Sequence, residues 1–90
     1  MTSLRKYYQD IFRRVFCENL MRTRAENGLT QAKMAEMLVM DDRSYIELDH
    51  GKSGCSALTL ALYLIYCCAD AGAFLRELRE AFEKGADSVA

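Results

Sequence analysis

The chain of 90 residues has no proline and five glycines; 51% of its residues are hydrophobic and 28% charged, and its formal net charge is −1. Such a length holds one domain, such a composition can bury a core without disulfides or metal, and so few turn-forming residues are poor material for an all-β sandwich. A near-neutral total is no general mark of a nucleic-acid binder.

Residues 4–26 place Leu4, Tyr8, Ile11, Phe12, Val15, Phe16 and Leu20 at spacings of three and four, with charges between them. That pattern predicts a long amphipathic helix, closed near Asn27-Gly28 because glycine takes the left-handed conformation that ends a helix. Thr30 is the natural N-cap of a short second helix through Leu38, with Met34, Ala35 and Leu38 facing inward. Asp41 caps a third helix over 42–49 that turns Tyr45 and Leu48 to the core and stops at Gly51. Ser56 then caps an apolar helix containing Leu58, Leu60, Ala61, Leu62, Leu64 and Ile65. Hydrophobic on nearly every side, it is expected in the centre of the fold, or covered on its second face by another helix or subunit. Asp70 caps a last helix with Phe74, Leu75, Leu78, Ala81 and Phe82 on one face. Arg76–Glu80, Arg79–Glu83 and Glu80–Lys84 are spaced four apart on the other, and Gly85 is expected to end the helix, leaving 86–90 frayed.

Charge is unevenly distributed. Residues 1–33 hold Arg5, Lys6, Arg13, Arg14, Arg22, Arg24 and Lys33 against Asp10, Glu18 and Glu26, whereas 34–55 hold Glu36, Asp41, Asp42, Glu47 and Asp49 against Arg43 and Lys52. The N-terminal arginines fit either a solvated helix face or a surface along a nucleic-acid backbone. Met1 to Lys6 lack the apolar core of a secretory signal, so the four cysteines (17, 55, 67 and 68) are expected as thiols in a reducing cytoplasm. His50, Cys55, Cys67 and Cys68 are conceivable zinc ligands, but without a Cys-x-x-Cys pair no metal and no cofactor is expected. The apolar run Ala57 to Ala69 is too short for a bilayer and is broken by Asp70, so no membrane partner is expected.

The stretch 20–52 holds Arg24, Gly28-Leu29-Thr30-Gln31 leading into the second helix, Ala35, Leu38, Leu48, the acidic Asp49 and Gly51 in register. In these residues the chain resembles the Cro/repressor-type (XRE) helix-turn-helix family, over roughly residues 12–68. The resemblance implies an all-α, compact five-helix, lambda-repressor-like domain filling 1–90, with an extended first helix, a motif core over 30–51 and an additional C-terminal helix over 70–84. It implies an ion pair between Arg24 and Asp49. It also implies double-stranded DNA as partner, with the recognition helix 42–49 in the major groove. Asp42, Arg43, Ser44 and Glu47 would then contact bases, and Thr30, Gln31, His50 and Lys52 phosphates. Arg43 suits guanine O6 and N7, while the carboxylates of Asp42 and Glu47 suit cytosine N4. The chain departs from the family pattern at Val39, where a turn glycine is usual, and at Met40 and Asp41, where small and hydroxyl residues are usual. Asp49 stands where glutamate is common.

No enzyme constellation is legible. Gly51-Lys52-Ser53-Gly54 lacks the strand and helix context of a nucleotide site, and Cys17 or Cys55 with His50 has no third group. The expected function is therefore sequence-specific DNA binding in transcriptional regulation, as a homodimer and without a small-molecule substrate. The acidic middle segment and a pI of about 5.8 motivate the alternative, a protein-interaction module that has kept the fold and lost DNA binding.

Overall fold

The computed structural model describes the backbone of residues 2–89 and the side chains of 3–85. Its five helices form an all-α fold. The first, α1 (Thr2–Asn27), has 26 residues; at about 1.5 Å per residue it is about 39 Å long, matching the 40 Å longest dimension of the molecule. It is the spine. Ile11, Val15, Phe16 and Leu20 are buried along its inner face, while Leu4 stays exposed beside an open groove shared with Tyr8 and Cys55.

Two short helices follow, α2 (Gln31–Met37) and α3 (Asp42–Asp49), each opened by the cap its sequence supplies. Thr30 Oγ1 accepts from the Lys33 amide at 3.0 Å and Asp41 Oδ1 from the Ser44 amide at 2.8 Å. The core expected from the sequence is in place, with Met34, Ala35, Leu38, Tyr45 and Leu48 all buried. Each such side chain contributes about 1.5–3 kcal/mol on burial, less for alanine.

The first three helices all stop in the same way. Leu29 N–H reaches back to Arg24 O, Met40 to Ala35 O and Lys52 to Glu47 O, at 2.9, 3.0 and 2.9 Å. In each case the preceding residue is left-handed: Gly28 at φ 63°, Val39 at 55° and Gly51 at 72°. Glycine occupies that conformation freely, but a β-branched L residue does not. Val39 therefore keeps the backbone of a turn glycine without glycine's tolerance for it.

The apolar segment after Ser56 departs from the expected central burial. Helix α4 (Ala57–Leu62) has no buried residue, and in the π-helical turn that continues it, Tyr63–Cys67, only Tyr63 is buried. Leu60, Tyr63, Leu64 and Cys67 form the inward side, whereas Leu58, Ile65 and Tyr66 are 68%, 68% and 67% exposed. Composition could not choose between faces, because every face is apolar. The choice falls to Tyr63, whose ring lies 5.2 Å from Phe16 and 6.0 Å from Phe74, in edge-on contact with both.

Helix α5 (Ala71–Val89) begins with the Asp70 cap to the Ala73 amide and runs antiparallel to α1, burying Phe74 and Leu78. Tyr8 meets Phe82 edge-on at 5.0 Å, a packing contact. Leu75, expected on the core face, is exposed. Arg79 pairs with Glu83 as expected, but Arg76 turns to Asp70 at 4.0 Å instead of Glu80. The helix does not stop at Gly85. A Cβ there would collide with the Tyr7 hydroxyl and Ile11 Cδ1, so this glycine permits close approach of α5 to α1 and is no terminator. The fraying expected of Ala86–Ala90 is likewise not found over 86–89, whose backbone continues the helix; Ala90 lies outside the described residues. Among the described residues no helix is long and apolar enough to cross a membrane.

Val39→Gly should raise the unfolding free energy by about 1 kcal/mol, the left-handed penalty of an L side chain less glycine's larger chain entropy. A urea midpoint at or below that of the parent would show that the turn holds no strain.

Candidate nucleic-acid interface

Four residues separate α2 from α3, and the pair is locked to α1 by one carboxylate. Asp49, 2% exposed, accepts from Arg24 Nε at 3.3 Å and Tyr45 hydroxyl at 2.9 Å on Oδ1, and from Arg24 Nη2 at 3.1 Å and Gln31 Nε2 at 3.2 Å on Oδ2. Both oxygens are doubly occupied by donors from three helices. The expected Arg24–Asp49 pair is thus present, and the short aspartate reaches it because Arg24 approaches side-on with two nitrogens. Sequence reasoning missed Tyr45 as the second donor. The signal was there, since Tyr45 lies four residues before Asp49 and shares its face.

With Tyr45, Leu48 and Asp49 turned inward, the outward face of α3 consists of Asp42, Arg43, Ile46 and Glu47, continued by His50 at its C-cap; all five are exposed. The structure brings three of the four proposed base-contacting residues, Asp42, Arg43 and Glu47, onto that face. Ser44 is not among them. It is half-buried, and its Oγ donates to Asp41 Oδ2 at 2.9 Å while its amide donates to Oδ1. The Ser44 amide, then its hydroxyl, hold the exposed Asp41 carboxyl below its ordinary 3.8. Ile46, an apolar group in the middle of the face, was not singled out from sequence.

Of the proposed phosphate contacts, Thr30, His50 and Lys52 are exposed, Thr30 with its oxygen engaged as a cap. Gln31 is only half-exposed, with its amide nitrogen held by Asp49. Most cations elsewhere are neutralised locally: Lys6 and Arg13 by Asp10, Arg14 by Glu18, Arg22 by Glu77 and Lys33 by Glu36. Among the described residues Arg5, Arg43 and Lys52 make no ion pair. Of these three, Arg43 lies on the outward face of α3 and Lys52 just beyond the helix end. Asp42 and Glu47 beside them are also without an ion pair.

Comparison of the chain with family models, curated proteins and solved structures gave no match. The chemistry of the site therefore rests on its own geometry. Among the described residues no group of three or more His, Cys, Asp or Glu is arranged to hold a metal ion, and all four cysteines are free thiols.

A second buried polar cluster supports α4. The Tyr63 hydroxyl lies 2.9 Å from Thr23 Oγ1 and donates to Asn19 Oδ1 at 3.1 Å, and Asn19 Nδ2 donates to Glu77 at 3.2 Å. Among the described residues no buried side-chain polar atom lacks a partner.

Arg24→Ala leaves Asp49 buried and short of two donors, and should destabilise the fold by about 3 kcal/mol. A thermal midpoint equal to the parent's would remove the pair from the account. At alkaline pH the two buried hydroxyls and the half-buried Cys55 thiol should dominate. Burial, then the bond to Asp49, pushes the Tyr45 hydroxyl above its ordinary 10.0, burial does the same to Tyr63, and burial pushes the Cys55 thiol from 9.0 up to about 11. The folded state keeps these protons after the unfolded chain has begun to release them. Their stabilisation is therefore whole below about pH 9 and is lost as pH rises toward 12. Tyr45 and Tyr63 should ionise, read by tyrosinate absorbance, only as helical circular dichroism disappears; ionisation with the helices intact would contradict the burial assigned to them.

Proposed function

We propose that this chain is a DNA-binding module of the Cro/repressor helix-turn-helix type, acting in transcriptional regulation with α3 in the major groove. The observation that carries the reading is the division of α3 into two faces. Its inward face is consumed by Tyr45, Leu48 and Asp49, while its outward face supports no part of the fold and carries Arg43, a cation with no carboxylate partner. Lys52, equally unpaired, lies just beyond the helix end, and in such a docking it would meet a phosphate. Arg43 would read guanine, Ile46 would meet a thymine methyl, and Asp42 or Glu47 would accept from cytosine N4. One short helix contacts few base pairs, so a twofold pair of modules is needed for useful specificity. Such a role belongs in the cytoplasm and requires neither catalysis nor a cofactor.

A second reading is favoured by Asp42 and Glu47, which place two unneutralised carboxylates on that same face, while α1 offers few unpaired cations to offset them. Under it, the outward face of α3 docks a basic protein surface. Selection of bound duplexes from a random pool, at low and physiological salt, separates the two. DNA reading should enrich a palindrome, and Arg43→Ala should relax it at one base pair per half-site, a loss of about 1–3 kcal/mol in discrimination. Lys52→Ala should weaken all sequences alike and lower the salt slope by about 1. No enrichment, with residual binding abolished by salt, would transfer the face to a protein partner.

A further inference from the structure

Residues 55–69 contain no charged side chain. Their inward positions meet α1 and α5 through Tyr63, and what remains outside is a stripe of Leu58, Ala61, Ile65 and Tyr66 at helical spacing, each exposed. Within the 90 residues every described helix is already placed, and none lies over it. Three large side chains two-thirds open to water, with Ala61 between them, make a patch of roughly several hundred Å², the size of the largest that a soluble monomer leaves exposed.

We infer that this stripe is the surface on which two copies of the chain associate, α4 and the π-helical turn that continues it crossing the same segment of the second copy about a twofold axis. Charge selects the occupant. A neutral apolar stripe gives nothing to a charged ligand, whether DNA or an ionic peptide, whereas a second copy presents the same neutral face without repulsion or stranded charge. Shape agrees with this. Ala61 lies three residues after Leu58 and four before Ile65, so a small side chain marks the crossing point and larger ones interdigitate on either side. Two such stripes together hide on the order of 1,000 Å², the low end of specific interfaces. The dimer is accordingly weak, forming in the micromolar range or above.

The test contains no DNA, so its outcome is independent of the function proposed above. Sedimentation equilibrium of the chain from about 1 µM to about 1 mM should show a reversible monomer–dimer transition. Ile65→Glu and, separately, Leu58→Glu should raise the dissociation constant at least about tenfold, since each would bury a carboxylate at the seam. Both positions are exposed, so circular dichroism and the thermal midpoint at low concentration should match the parent. A parent that stays monomeric throughout leaves the stripe to some other apolar partner and overturns the inference. So does a dimer that both variants form as tightly as the parent.

Discussion

The carboxylate of Asp49 is the point on which the domain depends. It is buried, and an unpaired buried charge is among the costliest features a small fold can contain. Two nitrogens of Arg24, the Tyr45 hydroxyl and the Gln31 amide fill its oxygens. Because those donors come from α1, α2 and α3, satisfying one charge fixes three helices at once. The angle between α2 and α3, on which any docking of α3 depends, follows from that arrangement and from the burial of Met34 and Ala35 on α2 and of Tyr45 and Leu48 on α3.

The other half of the molecule is held by aromatic rings. Phe16, Tyr63 and Phe74 meet edge-on from α1, the π-helical turn and α5, and the Tyr63 hydroxyl is in turn satisfied by Asn19 and Thr23. One side chain thus anchors the whole uncharged segment, and its outer face is left open. Gly85 allows α5 to continue close along α1, which extends this aromatic half beyond the stop expected from sequence. Both halves show the same economy: inward side chains are fully partnered, and outward faces are freed from any role in folding.

Much of the candidate site was legible before the fold. The Thr30 and Asp41 caps, the inward Tyr45 and Leu48, and the Arg24–Asp49 pair all follow from local spacing and matched charge. Other features went unread, some of them equally local. Ser44 left the outward face because the Asp41 carboxylate, one turn earlier, engages both its amide and its hydroxyl. Gln31 was drawn toward Asp49 by a charge eighteen residues away. The pairing of the N-terminal arginines with Asp10 and Glu18 was implicit in the i to i+4 and i to i−3 spacings, yet only side-chain geometry reveals how much of the basic half is neutralised.

What the sequence by itself determined is local. Hydrophobic period, capping residues and left-handed stops mark five helices, because each depends on neighbours within four or five positions along the chain. It could not orient residues 57–69, whose every face is apolar, nor tell a glycine that ends a helix from one that lets two helices touch. Those outcomes depend on contacts between residues far apart in the chain: Tyr63 with Phe16 and Phe74, Gly85 with Tyr7 and Ile11. Only tertiary packing, by taking one face and leaving another, decided which apolar surface became core and which remained open.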